Sequence, residues 1–359
     1  MKRYLVVHNL AQRLPIEELP LVVRVVGFRG DLEVALAARL EGVTPQAIQE
    51  IPIIRSSRYL LPQMWSLYSQ SLEPINEREL IEGNLLLGEN SNLLGFPLYP
   101  LYEEVKGETR RLLEGEPLTK TYLLKMLNEH ILGGLPSAKK ERWNWPSRQA
   151  EGVTLGDETL ENLLKVASLA LPISLEDERG TPIYKLFEAP QLGGSLAKEF
   201  LHAFGPANLE EFIEWSGVGA TQGERLWHAL DEVVVVQDPQ EKLLLREDYL
   251  TLKELPVVEG VRLISSSDPL FEIPNRSLLV QGKGLFNYFY RSSNTPPGML
   301  LSDGEVVAGW YLRRHRGSLS IQIEDVGLEL GRVANSEIEE EVERLALAMD
   351  FKSGGFSLI

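Results

Sequence analysis

Three groups of residues have the types and spacing to meet a polyanion. Arg313, Arg314 and Arg316 surround His315 just before Gly317 and form the densest basic cluster in the chain. They fall at the tip of a predicted hairpin, and an arginine-bearing tip suits a minor groove. Gln222, Arg225 and His228 lie on one side of a predicted helix, opposite Leu226 and Leu230. A helix of this kind fits a major groove, although Glu224, Asp231 and Glu232 on the same helix would repel phosphate. Arg55 and Arg58 precede Tyr59 and Trp65, and the stretch from Lys139 to Trp145 interleaves bases with indoles in a predicted loop. Aromatic faces among cations suit nucleic acid. Each group also has a plainer reading, as a solvated helix face, a basic turn, or indoles buried in a core. Asp31, in Arg29-Gly30-Asp31, reads from its spacing as the N-cap of a helix beginning at Leu32.

Other chemistries find no support. The chain has no cysteine, which removes disulfides, thiolate metal sites and cysteine nucleophiles. Its five histidines are scattered without metal-ligand spacing, so neither metal nor cofactor is expected. Gly282-Lys283-Gly284 is too short for a phosphate-binding loop, and neither a Gly-x-Ser-x-Gly elbow nor a dinucleotide fingerprint occurs. No apolar run is long enough to span a bilayer, and a cytoplasmic chain without a membrane partner is expected. The net charge of −16 opposes phosphate binding, so any DNA contact needs local basic patches.

The elements that must position these groups are clearest between Ser195 and Arg246. Leu196, Phe200 and Phe204 repeat at helical spacing, and Asn208 with Glu211 forms a capping box for a second helix. Ser216 to Gly219 turns the chain into a third helix, for which Thr221 and Glu224 offer another box. Val233–Val236 and Lys242–Arg246 read as a hairpin. Three helices and a hairpin are the order of a winged helix. The order is repeated less cleanly from Glu116 to Pro190, where Thr119 and Asp157 cap helices and residues 180–187 form a wing. It also appears near the N-terminus, with a helix over Ile16–Val26, another from Asp31 to Leu40, a third after Thr44-Pro45, and a strand over Ile53–Arg58. Beyond Glu259 strands are predicted at Leu278–Val280, Leu285–Tyr290, Met299–Leu301, Val306–Leu312 and Leu319–Ile323, with Asp303-Gly304 as a hairpin turn. A helix capped by Ser336 and Glu339 closes the chain.

The expected fold is therefore α+β. Winged helices occupy 1–75, 108–190 and 191–258, a linker or arm occupies 76–107, and a small C-terminal β-barrel or sandwich with a terminal helix occupies 259–359.

Several stretches resemble one family. They are His8-Asn9-Leu10 with Arg13; Phe200-Leu201 followed by Phe204 to Ala207, Phe212, Trp215 and Gly217; Val261-Arg262-Leu263 before Asp268-Pro269; and Pro297-Gly298 through Asp303-Gly304 to Gly309-Trp310. Their succession is similar to the tandem winged-helix DNA-binding proteins that include bacterial DNA glycosylases acting on bulky alkylpurines and interstrand crosslinks. The resemblance implies a concave arrangement of three winged helices, duplex DNA as partner, and excision of alkylated or crosslinked purines. It also implies a catalytic motif of glutamine, any residue, then glutamine or aspartate. Arg29-Gly30-Asp31 stands at that motif, with the aspartate kept and arginine in the glutamine position. Asp31 would then stabilise a cationic sugar and direct water, with Arg29 beside it on a phosphate or against the carboxylate. A non-catalytic DNA binder (a regulator or lesion binder) and an interaction module that has lost DNA binding are the alternatives.

Overall fold

A computed structural model describes residues 1–19, 22, 30–49, 54–55, 59–60, 62–178, 181–189, 194–236, 241–291, 296–315 and 317–359. The chain opens with helix α1 (Lys2–Val7), followed by α2 (Leu32–Ala37) and α3 (Pro45–Gln49). Thr44 caps α3, accepting the Ala47 amide at 3.2 Å. A short antiparallel pair, β1 (Ile54–Arg55) and β2 (Tyr59–Leu60), follows. Most of Ile16–Val26, expected as a helix, lies outside the described residues.

After α4 (Pro62–Leu72) the span expected as a linker or arm carries α5 (Glu77–Glu82), α6 (Leu85–Leu94) and the start of α7 (Tyr99–Gly115). Two asparagines of this span are N-caps. Asn76 accepts the Glu79 amide at 3.0 Å and Asn84 the Leu87 amide at 3.2 Å. Asparagine favours caps and loops for the same hydrogen-bonding reason, so composition does not separate them.

Next come β3 (Leu118–Thr119) and α8 (Lys120–Gly134), capped by Thr119 as expected. The Lys139–Trp145 segment, expected as a loop, is mostly the helix α9 (Ser137–Trp143). Helix α10 (Leu155–Ala170) starts earlier than expected because Thr154 is its N-cap and Asp157, the third helical residue, closes the capping box. Strands β4 (Ile173–Glu178) and β5 (Thr181–Leu186) form the hairpin that follows.

Helices α11 (Leu196–Phe204), α12 (Leu209–Ser216) and α13 (Ala220–His228) lead into the hairpin β6 (Val233–Val236) and β7 (Lys242–Leu245). The Asn208–Glu211 box forms. The Thr221–Glu224 box does not. Gly219 is the N-cap of α13, and the Thr221 amide donates to Glu82 of α5 at 3.0 Å.

The short helix α14 (Arg246–Thr251) precedes β8 (Val261–Ile264). Two expected strands do not form: Leu278–Val280 follows from the end of a 3₁₀ turn (Arg276–Leu278), and Leu285–Tyr290 lies inside the helix α15 (Lys283–Arg291). Aromatic content favours a strand, but Leu285 with Phe289 and Phe286 with Tyr290 also stand four apart, and Phe289 is buried on that spacing. The expected strands β9 (Gly298–Ser302), β10 (Glu305–His315) and β11 (Ser318–Glu324) form, with Asp303 at φ 50° and Gly304 at φ 83° in the tight turn. Helix α16 (Asn335–Ala348) starts at Ala334, whose amide donates to Glu337 at 3.1 Å, rather than at Ser336. It buries Ile338, Val342 and Leu345. Strand β12 (Gly354–Leu358) then pairs parallel to β11. The sheet runs β12-β11-β10-β9-β8 and stays open at both ends, so the described residues form no closed barrel.

Two cores hold this α+β chain. One runs through α5 to α10 and β4, with Tyr102, Leu127, Trp143 and Leu163 at its centre. The other joins Leu5 and Leu36, the aromatic cluster Phe200, Phe204, Phe212 and Trp227, and the sheet residues Met299 and Ile321. Within the second core, Arg39 makes a two-pronged ion pair with Asp268 at 2.7 and 2.9 Å, and donates to the carbonyls of His8 and Ala35. Both side chains are almost fully buried, at 2% and 0% exposure.

Removing one partner of such a pair strands the other charge. Arg39→Ala is expected to cost about 3–5 kcal/mol in urea unfolding; a loss below about 1 kcal/mol would show that the pair holds little. His8 is buried with Nε2 3.2 Å from the Ala203 carbonyl, and burial, then Arg39, holds its pKa down to about 3. Its unfolded value is 6.5. The unfolded chain therefore takes a proton that the folded chain refuses, and stability falls as pH drops from about 6.5 towards 3. His8→Gln should flatten the unfolding free energy across that window.

Candidate active site and nucleic-acid interface

Asp31 immediately precedes α2, yet its side chain makes no capping bond. Its backbone is left-handed, at φ 44° and ψ 49°, a conformation costing about 1–3 kcal/mol in a non-glycine residue. The carboxylate is turned instead to the loop after β8. Its Oδ2 accepts from Ser265 Oγ at 2.6 Å and from Ser267 Oγ at 3.1 Å. The serine oxygens are 2.9 Å apart, and the Ser267 amide donates to Ser265 Oγ at 3.2 Å. That loop is anchored on one side by Trp310, whose indole donates to the Ile264 carbonyl at 3.1 Å, and on the other by the Arg39–Asp268 pair. The N-cap reading is thereby corrected: Asp31 is an exposed carboxylate with one oxygen fixed by two hydroxyls, while Oδ1 has no partner among the described residues. Such a group can stabilise a developing cation or take a proton from water.

Ser267 also lines a cleft of about 1130 Å³. Helix α12 contributes Glu211, Glu214 and Trp215 to it, and α15 with the turn before it contributes Arg276, Lys283 and Arg291. Lys242 pairs with Glu211 at 2.7 Å, and the Trp215 indole donates to Glu272, another lining residue, at 2.8 Å.

The predicted contact residues fare differently. Gln222 is buried, and its amide donates to the carbonyls of Ser71 at 2.8 Å and Glu73 at 3.4 Å. Arg225 is locked two-pronged onto Glu79 at 2.8 and 2.9 Å. The expected recognition face of α13 is thus packed against α5, which corrects the groove-reading role for these two residues. A Cβ on Gly219 would sit 2.6 Å from Glu82 Cβ, so only glycine permits that approach. Glu82 occupies the start of α13, where a phosphate would otherwise fit, and the Thr221 amide, then Arg78, hold its pKa down to about 2. His228 alone of the three is exposed.

Arg313 lies on the shaft of the β10–β11 hairpin, opposite Ser320, and donates to Gln322 at 3.0 Å. Arg29, Arg58 and Arg316, and the side chains of Arg55 and Arg314, lie outside the described residues. Trp143 is a core residue bonded to Asn128 at 2.9 Å, and Trp65 is buried against Phe187, whereas Trp145 is exposed. Sequence reasoning missed Ser265, Ser267, Arg276, Lys283 and Arg291. A serine run before Asp268-Pro269 was visible, but nothing local to it points to Asp31. Lys283, Asn287 and Arg291 recur every four residues, a helical signal masked by the strand-like aromatics around them.

The profile of the AlkZ-like DNA glycosylases matches residues 31–348. The chain belongs to that family. The matched span starts at Asp31 and takes in both serines and the cleft. The AlkZ-like fold is also found in the solved structure of Streptomyces sahachiroi DNA glycosylase AlkZ, with a TM-score of 0.69 and 16% identity, covering 100% of this chain and 98% of that one. No curated protein matches the sequence. Among the described residues no helix is long and apolar enough to cross a membrane, and no group of three or more His, Asp or Glu is placed to hold a metal ion.

The placement of Gln222 is testable. Gln222→Ala should cost about 1–3 kcal/mol of stability by leaving buried carbonyls unpaired. It should leave duplex affinity unchanged in a fluorescence-anisotropy titration.

Proposed function

We propose that this chain is a monofunctional DNA glycosylase that removes N-alkylated purines from duplex DNA, with Asp31 as its catalytic carboxylate. The observation that carries the reading is the Asp31 carboxylate, held off its helix in a left-handed backbone by Ser265 and Ser267 at the edge of a cleft. An N-alkylated purine already bears positive charge, so its bond to C1′ can break without prior protonation. The bonding pair leaves with the base, and positive charge develops on the sugar. The Asp31 carboxylate stabilises that charge, then accepts a proton from the water whose oxygen bonds to C1′. The products are the free base and an abasic sugar. The two serine hydroxyls orient the carboxylate by donating to it.

In this reading the helix–hairpin units α2–α3 with β1–β2, α8–α10 with β4–β5, and α11–α13 with β6–β7 act as winged helices, within the bounds 1–75, 108–190 and 191–258. The basic end of the β10–β11 hairpin, with Arg313, Arg314 and Arg316, meets the duplex, as do Arg55 and Arg58. A second reading, binding without excision, is favoured by Arg29 standing where the family motif has glutamine.

A duplex carrying one N7-alkylguanine, incubated with the protein and treated with alkali, should break at the lesion. Asp31→Asn should slow this at least about 10²-fold while the duplex is still retained. Retention without breaks in the wild type would replace the glycosylase by the binder.

A further inference from the structure

Helix α15 and the turn before it hold an arrangement that the excision chemistry does not use. Phe286 and Tyr290, one turn apart, stack with centroids 5.1 Å apart and planes at 28°. The guanidinium of Arg291 lies over Phe286 at 5.6 Å and that of Arg276 over Tyr290 at 5.0 Å. The aromatic pair is thus clasped between two arginines. A guanidinium seated on a ring face keeps its planar fork of N–H donors free for an anion. Lys283 and Arg291 are exposed eight residues apart on α15, with Asn287 exposed midway. All of these residues line the cleft that is also lined by Ser267, a donor to the Asp31 carboxylate.

In a chain with 52 acidic and 36 basic residues many arginines are taken up by carboxylates, as Arg3, Arg13, Arg39, Arg225 and Arg332 are. Arg276, Lys283 and Arg291 have no carboxylate partner among the described residues, although Glu211, Glu214 and Glu272 line the same cleft. Those acids are at α12 and the 3₁₀ turn Pro269–Glu272, and they leave α15 as the cationic side.

We propose that Arg276, Lys283 and Arg291 form a phosphodiester clamp, pre-set by the Phe286–Tyr290 stack, that seats the DNA backbone in the cleft beside Asp31. The proposal rests on the glycosylase reading for its ligand, but its test does not depend on excision. Binding of an undamaged fluorescent duplex is measured between roughly 50 and 200 mM NaCl, where each phosphate contact adds about 0.9 to the slope of log affinity against log salt. Lys283→Gln should lower the slope by about 0.9. The double change Arg276→Gln, Arg291→Gln should lower it by about 1.8, and Arg276→Lys, Arg291→Lys should restore most of that loss. Lys283 is exposed, and thermal melting checks that both Gln variants stay folded. Slopes unaltered in both Gln variants overturn the clamp. So does a wild type that retains no duplex at low salt, or one whose α15 variants lose only an acidic peptide such as polyglutamate. Salt slopes that behave as expected without any excision would sink the glycosylase reading and leave the clamp standing.

Discussion

The buried pair of Arg39 and Asp268 joins segments that are 229 residues apart. Arg39 follows α2 and bonds the carbonyls of His8 and Ala35, so it ties the N-terminal turn to the helix that Asp31 opens. Asp268 also caps the next turn by accepting the Leu270 amide at 2.9 Å. The loop between β8 and that turn is therefore fixed at one end by sheet pairing and at the other by a desolvated ion pair. Ser265 and Ser267 sit between those fixed points. Two apolar residues of equal volume could match the packing, but not the directionality: the guanidinium–carboxylate fork allows one mutual orientation. That orientation sets where the serine hydroxyls meet the carboxylate.

The same logic explains the left-handed backbone at Asp31. A residue at a helix start is normally extended, with its side chain folded back onto the helix amides. Here two hydroxyl donors on another segment compete for the carboxylate, and the charge-assisted bonds they supply offset a backbone cost of about 1–3 kcal/mol. Strain of this kind persists where the surroundings over-determine it, and the surroundings here are the anchored serine loop.

Acidity shapes where nucleic acid can be met. Helix α5 directs Glu79 onto Arg225 and Glu82 onto the start of α13, so the third helix–hairpin unit turns its would-be reading face inward, against the arm. Carboxylates neutralise many of the cations, and Arg276, Lys283 and Arg291, at α15 and the turn before it, are among those that keep their donors available. An overall charge of −16 is compatible with polyanion binding when the surplus acid is spent on internal pairs and the open cations share one cleft.

Local signals in the chain were enough for the elements whose information is local. The Asn208–Glu211 box, the Thr119 cap, the Asp303-Gly304 turn and strands β9 to β11 follow from neighbouring residues, as does the helical stripe of Ile338, Val342 and Leu345. The succession of motifs marked Asp31 as the residue to watch, though its own spacing spoke for a cap. Where the signal was ambiguous, tertiary packing chose. Asparagine-rich 76–107 became helices because its caps were used. Aromatic-rich 283–291 became a helix because Phe289 and the Phe286–Tyr290 pair bury and stack at four-residue spacing. Gln222 and Arg225, alike on paper to groove contacts, were claimed by α5. The hydroxyls that hold Asp31 come from 234 and 236 residues away. No periodicity or capping rule reaches that far, because those rules describe interactions within one turn or one hairpin, whereas the site is made where two distant segments are pressed together by a shared core.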